Sequence, residues 1–340
     1  MTQIEHNINL PMSSQNLELE DIVKTYKNNY SSILHEFISV QSDFLSDIYK
    51  RYDKDLDAAN IVLYFARNLH GKTLRERDKD LEFNISFENF WKNLDRTEQD
   101  NSKIIEIAES TGLPKETARR KVNHLIKNKV LQKNKNYIYW SPPPDGRNSY
   151  NTVVDRQINQ ISKLVQTISF YLNFKIPKEK ITSELKKNFS FFWFHYLSTQ
   201  LKYLKMWQKE LNDLELILIG LQCVIQTNLD FKKRNINFED HFFTTKQNLE
   251  KLKLSDNFSV SATSVSEVTG VPRATCIRKL EKLNKMKIVK KNFNSKRFQI
   301  DLKNFQTNAL NSKKISQNTI EMFSEFFLIV LKALRRKDKD

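Results

Sequence analysis

Ile107-Ala-Glu-Ser-Thr-Gly-Leu-Pro-Lys-Glu-Thr-Ala-Arg-Arg-Lys-Val-Asn-His-Leu125 recurs without a gap as Val265-Ser-Glu-Val-Thr-Gly-Val-Pro-Arg-Ala-Thr-Cys-Ile-Arg-Lys-Leu-Glu-Lys-Leu283, 158 residues further along a chain of 340. Gly112/Gly270, Pro114/Pro272, Thr117/Thr275, Arg120/Arg278, Lys121/Lys279 and Leu125/Leu283 are identical. Self-similarity over such a distance marks a duplicated structural unit. The likeness continues outward. Upstream, Asn84-Ile-Ser-Phe-Glu88 echoes Asn235-Ile-Asn-Phe-Glu239, and Ile61-Val-Leu-Tyr-Phe65 echoes Leu216-Ile-Leu-Ile-Gly220. Downstream, Lys129-Val-Leu-Gln-Lys133 matches Lys287-Ile-Val-Lys-Lys291, and Val165 and Ile168 fall on Phe323 and Phe326. The copies therefore cover about 30–172 and 188–336, each opening on a long helix near 31–52 and 190–211.

Within the first copy the spacing predicts a short helix over 103–110, a turn at Thr111-Gly112-Leu113 and a second helix over 114–128. Gly112 supplies the positive φ that a tight helix-to-helix turn needs. Pro114 falls in the first turn of the second helix, where its missing N–H costs nothing. Ala118, Val122 and Leu125 form an inward stripe, whereas Lys115, Glu116, Arg119, Arg120 and Asn123 project from the opposite side. A helix with such a face fits the major groove of B-DNA. Val130 to Lys133, a turn at Asn134-Lys135-Asn136, and Tyr137 to Trp140 then make a β-hairpin. In the second copy Ile288 to Asn292, a turn at Phe293-Asn294-Ser295, and Lys296 to Ile300 do the same. Lys133 and Lys135 in one hairpin, and Lys290, Lys291, Lys296 and Arg297 in the other, are placed to touch phosphates.

Helix, turn, helix and basic hairpin in that order describe a winged helix. Lys115-Glu-Thr-Ala-Arg-Arg120 and Arg273-Ala-Thr-Cys-Ile-Arg278 resemble the winged helix-turn-helix of bacterial transcription regulators, most closely the DNA-binding end of the cyclic-AMP receptor protein family. The resemblance covers about 40 residues per copy. It implies DNA contacts from the basic residue opening the helix and from the Arg five positions later, with the Thr between them anchoring the helix on the backbone. Carried over by position, these are Lys115, Thr117 and Arg120, and Arg273, Thr275 and Arg278. Glu116 also matches the family pattern and could accept from a cytosine amino group; Ala274 replaces it in the second copy. Nothing resembles that family's glycine-rich cyclic-nucleotide barrel, so its ligand does not carry over.

Composition agrees with a polyanion partner. The formal net charge is +16 and unevenly spread: residues 1–100 hold 12 basic and 18 acidic side chains, the remainder 44 and 22. Residues 101–140 carry 9 basic and 3 acidic groups, and 257–305 carry 11 and 3. A basic surplus placed on the repeated unit favours nucleic acid over a pure scaffold. Only 5 glycines are present, which excludes a G-x-G-x-x-G turn or a Walker-type loop. Cys223 and Cys276 lie far apart, supporting neither zinc nor a disulfide framework; Cys276 aligns with Ala118 and reads as a small core residue. No nucleophile, acid–base pair or metal cluster is spaced for catalysis, so no enzyme activity, metal or cofactor is expected. The start of the chain is polar, and the apolar run Leu214 to Ile225 is interrupted by Glu215 and short for a span. The aromatic run Phe189 to Tyr196 reads first as core or interface bulk.

The expected fold is mainly α with small β-hairpin wings: two tandem homologous winged-helix domains. The boundaries are a mobile arm over 1–29, domains over 30–140 and 188–305, a Pro-containing connector and linking helix over 141–187, and an amphipathic helix with a basic tail over 306–340. The expected function is sequence-specific binding of double-stranded DNA as a transcription regulator, at an imperfect inverted repeat. The expected DNA-binding residues are Lys115, Glu116, Thr117, Arg119, Arg120, Asn123, Lys133, Lys135, Arg273, Thr275, Arg278, Lys279, Lys291, Lys296 and Arg297. A replication initiator or DNA-organising protein, and a winged-helix interaction scaffold, remain open alternatives. The chain is expected in the cytoplasm with the nucleoid, away from membranes, as a homodimer or as a single chain with pseudo-two-fold symmetry.

Overall fold

In the computed structural model, which describes residues 17–94, 101–134, 137–236, 258–292, 294–304 and 312–336, the chain is mainly helical with two small antiparallel hairpins. The first half runs α1 (Leu19–Asn28), α2 (Tyr30–Arg51), α3 (Leu56–Lys79), α4 (Phe90–Leu94), α5 (Ile104–Thr111), α6 (Lys115–Lys127), β1 (Leu131–Asn134), β2 (Tyr137–Trp140) and α7 (Pro144–Tyr171). The second half runs α8 (Lys178–Lys187), α9 (Phe189–Leu211), α10 (Leu214–Lys233), α11 (Ala262–Thr269), α12 (Arg273–Lys285), β3 (Val289–Asn292), β4 (Arg297–Ile300) and α13 (Ser312–Arg336).

The duplication extends to the backbone. Gly112 and Gly270 end α5 and α11 in the left-handed region, at φ 75° and 77°. Lys129 and Lys287, 158 residues apart, are both left-handed at φ 59° and 57° just after the second helix of each unit. A non-glycine residue is held there at a cost of about 1–2 kcal/mol, which the packed hairpin that follows must offset. The hairpins differ in one respect. Leu131 pairs with Trp140 and Asn134 with Tyr137, whereas Val289 pairs with Ile300 and Asn292 with Arg297. The second turn is thus two residues longer, and Ile300 takes the place of Trp140.

The halves exchange their long helices. α9 packs on α3 and α5 of the first half, and α2 packs on α10 and α11 of the second. One continuous core runs through both. α13 packs along α9 and α7 along α2, with Phe37 meeting Phe323 edge-on at 4.7 Å and Phe44 meeting Tyr196 at 5.7 Å. Such edge-to-face pairs add to the burial of two rings. α10 is long and apolar enough to cross a membrane by length and composition, but 61% of that window is buried inside the fold; it is the central strut on which α2, α12 and β4 pack.

Two expected boundaries need correction. The arm expected over 1–29 is helical from Leu19, with Ile22 and Tyr26 buried against α13; residues 1–16 lie outside the described residues. α1 is the counterpart of α8, 159 residues on, which packs on α7 in the same way. The connector expected from Ser141 is already helical at Pro144, and its Tyr150 is buried. A proline at the first helical position starts a helix rather than breaking it. The 237–239 part of the upstream echo, the 306–311 segment and the tail beyond Arg336 lie outside the described residues.

Among the described residues, the two halves line the matched core positions differently. In the first, His70 stacks on Phe90 at 4.4 Å and meets Phe189 at 5.0 Å, while Tyr150 packs on Trp140 at 5.1 Å and Trp91 at 5.4 Å. In the second, Asn228 and Ile300 stand where His70 and Trp140 stand in the first, and with Tyr30, Trp207 and Ile320 they help to line a cavity of about 220 Å³.

Candidate nucleic-acid interface

Each repeated unit presents its second helix outward. On α6 Ala118, Val122 and Leu125 are buried, and Lys115, Glu116, Arg119, Arg120 and Asn123 are exposed. Thr117 is half-buried. Glu116 and Arg119 pair at 3.2 Å, one helical step apart, and with Thr117, Arg120 and Asn123 they line one shallow surface concavity. On α12 Cys276, Leu280 and Leu283 are buried, Arg273, Ala274, Ile277 and Arg278 are exposed, and Thr275 is half-buried. Arg273 donates from Nε to Thr263 Oγ1 at 3.0 Å, tying the start of α12 to α11.

Three expected contact residues are engaged elsewhere. Lys279 is only 12% exposed; its Nζ bonds Asp213 and lies 3.2 Å from Glu215. It follows the buried Cys276 by three positions, so it sits on the edge of the inward stripe. Lys121 makes the matching bond to Asp55, which also caps α3 by accepting from the Ala58 amide at 3.0 Å. Both pairs therefore clamp the second helix of a unit onto the N-terminus of the helix beneath it, where the dipole favours the carboxylate. Lys291 pairs with Glu281 and lies over the Phe298 ring. Arg297 donates from Nε to the Ser259 carbonyl and hydroxyl at 3.1 and 3.0 Å, fastening β4 to the segment before α11. A strand residue facing its neighbour is spent on the fold. Lys296 remains exposed at the tip with Asn294 and Ser295, and Lys133 is exposed on β1; Lys135 and Phe293 lie outside the described residues.

Sequence reasoning missed the carboxylates. Asp55 and Asp213 are themselves 158 residues apart, so the joint repetition of Asp and Lys was the available signal. His124 is similarly held, with Nε2 3.3 Å from Asp53.

Beneath α12 the Cys276 thiol is pushed up to about 11, by burial first and then by the nearby Glu215 charge. A thiol so held is a protonated packing group, as the alignment with Ala118 suggests. Asp57, in the first turn of α3, is raised to about 6 by burial and by the Asp55 charge, with Lys121 opposing. Among the described residues, no three His, Cys, Asp or Glu side chains gather as metal ligands would.

Each turn lies against a lysine of the opposite half. A Cβ on Gly112 would lie 3.1 Å from Lys205 Cγ of α9, and one on Gly270 would lie 2.8 Å from Lys50 Cε of α2. The long helices therefore run beside the turns, and the second helix of each unit keeps an outward face. Compared with family models, with curated proteins and with solved structures, the chain matches none.

Proposed function

We propose that this chain is a sequence-specific binder of double-stranded DNA, acting as a transcription regulator through two tandem winged helices. The observation that carries the reading is the repetition of one outward-facing device. A helix seated by a buried apolar stripe follows a left-handed glycine turn, precedes a hairpin, and exposes arginine at the same position, Arg120 and Arg278. Helices of this kind place their N-terminal residues against base edges in the major groove, with hairpin cations on phosphates. The resemblance of 115–120 and 273–278 to bacterial winged-helix regulators supports the same reading. Two units in one chain would engage two half-sites, spaced by about one helical turn, ~34 Å, where both helices enter the major groove on one side of the duplex, and the nucleoid is the location this reading implies.

The two reading faces differ, so the site is an imperfect inverted repeat. Arg120→Ala and Arg278→Ala are each expected to weaken binding by about 1–3 kcal/mol if they read bases. Selection of bound fragments from random DNA, followed by titration between 50 and 200 mM salt, tests the whole reading. A two-part motif with a steep loss of affinity on adding salt is the expected result. Tight binding with no enriched sequence would assign a DNA-organising role instead, and no salt-dependent binding would leave the scaffold.

A further inference from the structure

The second exposed face carries an apolar patch where the first carries charge. Ile277 is 38% exposed, a large hydrophobic side chain left in water, and exposed Ala274 precedes it by one helical step on the same side. Arg273 and Arg278 border the two. At the matching positions α6 holds Glu116 and Arg119, paired with each other at 3.2 Å. The aligned backbones are alike, so the difference belongs to what each face meets.

We propose that α12 reads thymine by its 5-methyl group, through Ile277 and Ala274, at the positions where α6 presents the paired Glu116 and Arg119. This rests on the DNA-binding reading above. Thymine is the one unmodified base with an apolar projection into the major groove; guanine offers acceptors that suit arginine, and cytosine offers an amino donor that suits a carboxylate. Isoleucine branches at Cβ and is stiff at χ1, so it presents a fixed surface to a methyl group with little side-chain freedom to lose. Charged side chains at these positions would be desolvated against the methyl without a partner, so the exchange of Glu116 and Arg119 for Ala274 and Ile277 is a change of preferred base.

The test uses the full chain and the site obtained by selection from random DNA. Each thymine of the half-site bound by α12 is replaced in turn by uracil, which removes the methyl group and keeps base pairing. Affinity should fall about three- to tenfold at one or two positions, the range set by burying a single methyl group, and should not change for uracil placed in the other half-site. In Ile277→Ala the preference for thymine over uracil should shrink towards none, with salt-dependent binding retained. A selected motif lacking thymine in that half, or equal affinity for thymine and uracil with the unaltered protein, overturns the inference while leaving DNA binding intact. An equal loss by Ile277→Ala on both bases also overturns it. Absence of any salt-dependent binding would instead remove the reading on which it rests.

Discussion

His70 and Asn228 stand 158 residues apart at the same turn of α3 and α10, yet one sits in a stack of aromatic rings and the other on the wall of a cavity. Trp140 and Ile300, the matched ends of the two hairpins, differ in the same sense. What the halves keep in common is the apparatus that sets the backbone: the glycine turns, the left-handed Lys129 and Lys287, and the Asp55–Lys121 and Asp213–Lys279 clamps. Among the described residues, what they vary is the side chains at the matched core positions and the chemistry of the outer face. Duplicated units can change bulk and surface independently, provided that the geometry of the helix-turn-helix is preserved.

The largest test of that contrast exchanges the hairpin ends. Trp140 is fully buried among rings, so Trp140→Ile opens a void and is expected to cost roughly 3 kcal/mol in urea unfolding. Ile300→Trp moves into space that already exists and is expected to stay within about 1 kcal/mol of neutral. Equal costs would show the cores to be equivalent after all.

A second test uses acid. Burial lowers His70 to about 3, so the folded protein holds it neutral while the unfolded chain protonates it near its ordinary value. The unfolded state then binds the extra proton, and stability present above about pH 6.5 is lost as pH falls; the loss between pH 7 and pH 5 is about 2 kcal/mol. His70→Asn, which copies the second half, should remove that part of the slope, measured as the urea midpoint at pH 7 and pH 5.

The smallest effect concerns the shared turns. Gly112→Ala and Gly270→Ala each force a side chain into the left-handed region, at about 1–2 kcal/mol. The second should cost slightly more, because Lys50 approaches closer than Lys205 does. Adding Lys50→Ala to Gly270→Ala should return only that difference, a coupling read from a double-mutant cycle.

Much of this was legible in the sequence because it depends on neighbours. The helix over 115–127, its buried stripe and both hairpins follow from local spacing and from Gly112 and Pro114. α1 was not anticipated: Ile22 and Tyr26 make a short stripe whose partner, α13, lies some 300 residues away. The loss of Lys279 from the exposed face has the same cause, since its partner Asp213 is 66 residues earlier. Contacts of that kind leave no periodicity, although their repetition in both copies does leave a mark.

The exchange of α2 and α9 between the halves is what two copies of one chain make when they associate symmetrically. In a homodimer every substitution is made twice, and the target must remain a palindrome. Covalent joining lifts that rule: the contact between halves is an internal core, each face mutates alone, and on the DNA-binding reading proposed above a bound operator would acquire a direction along the DNA.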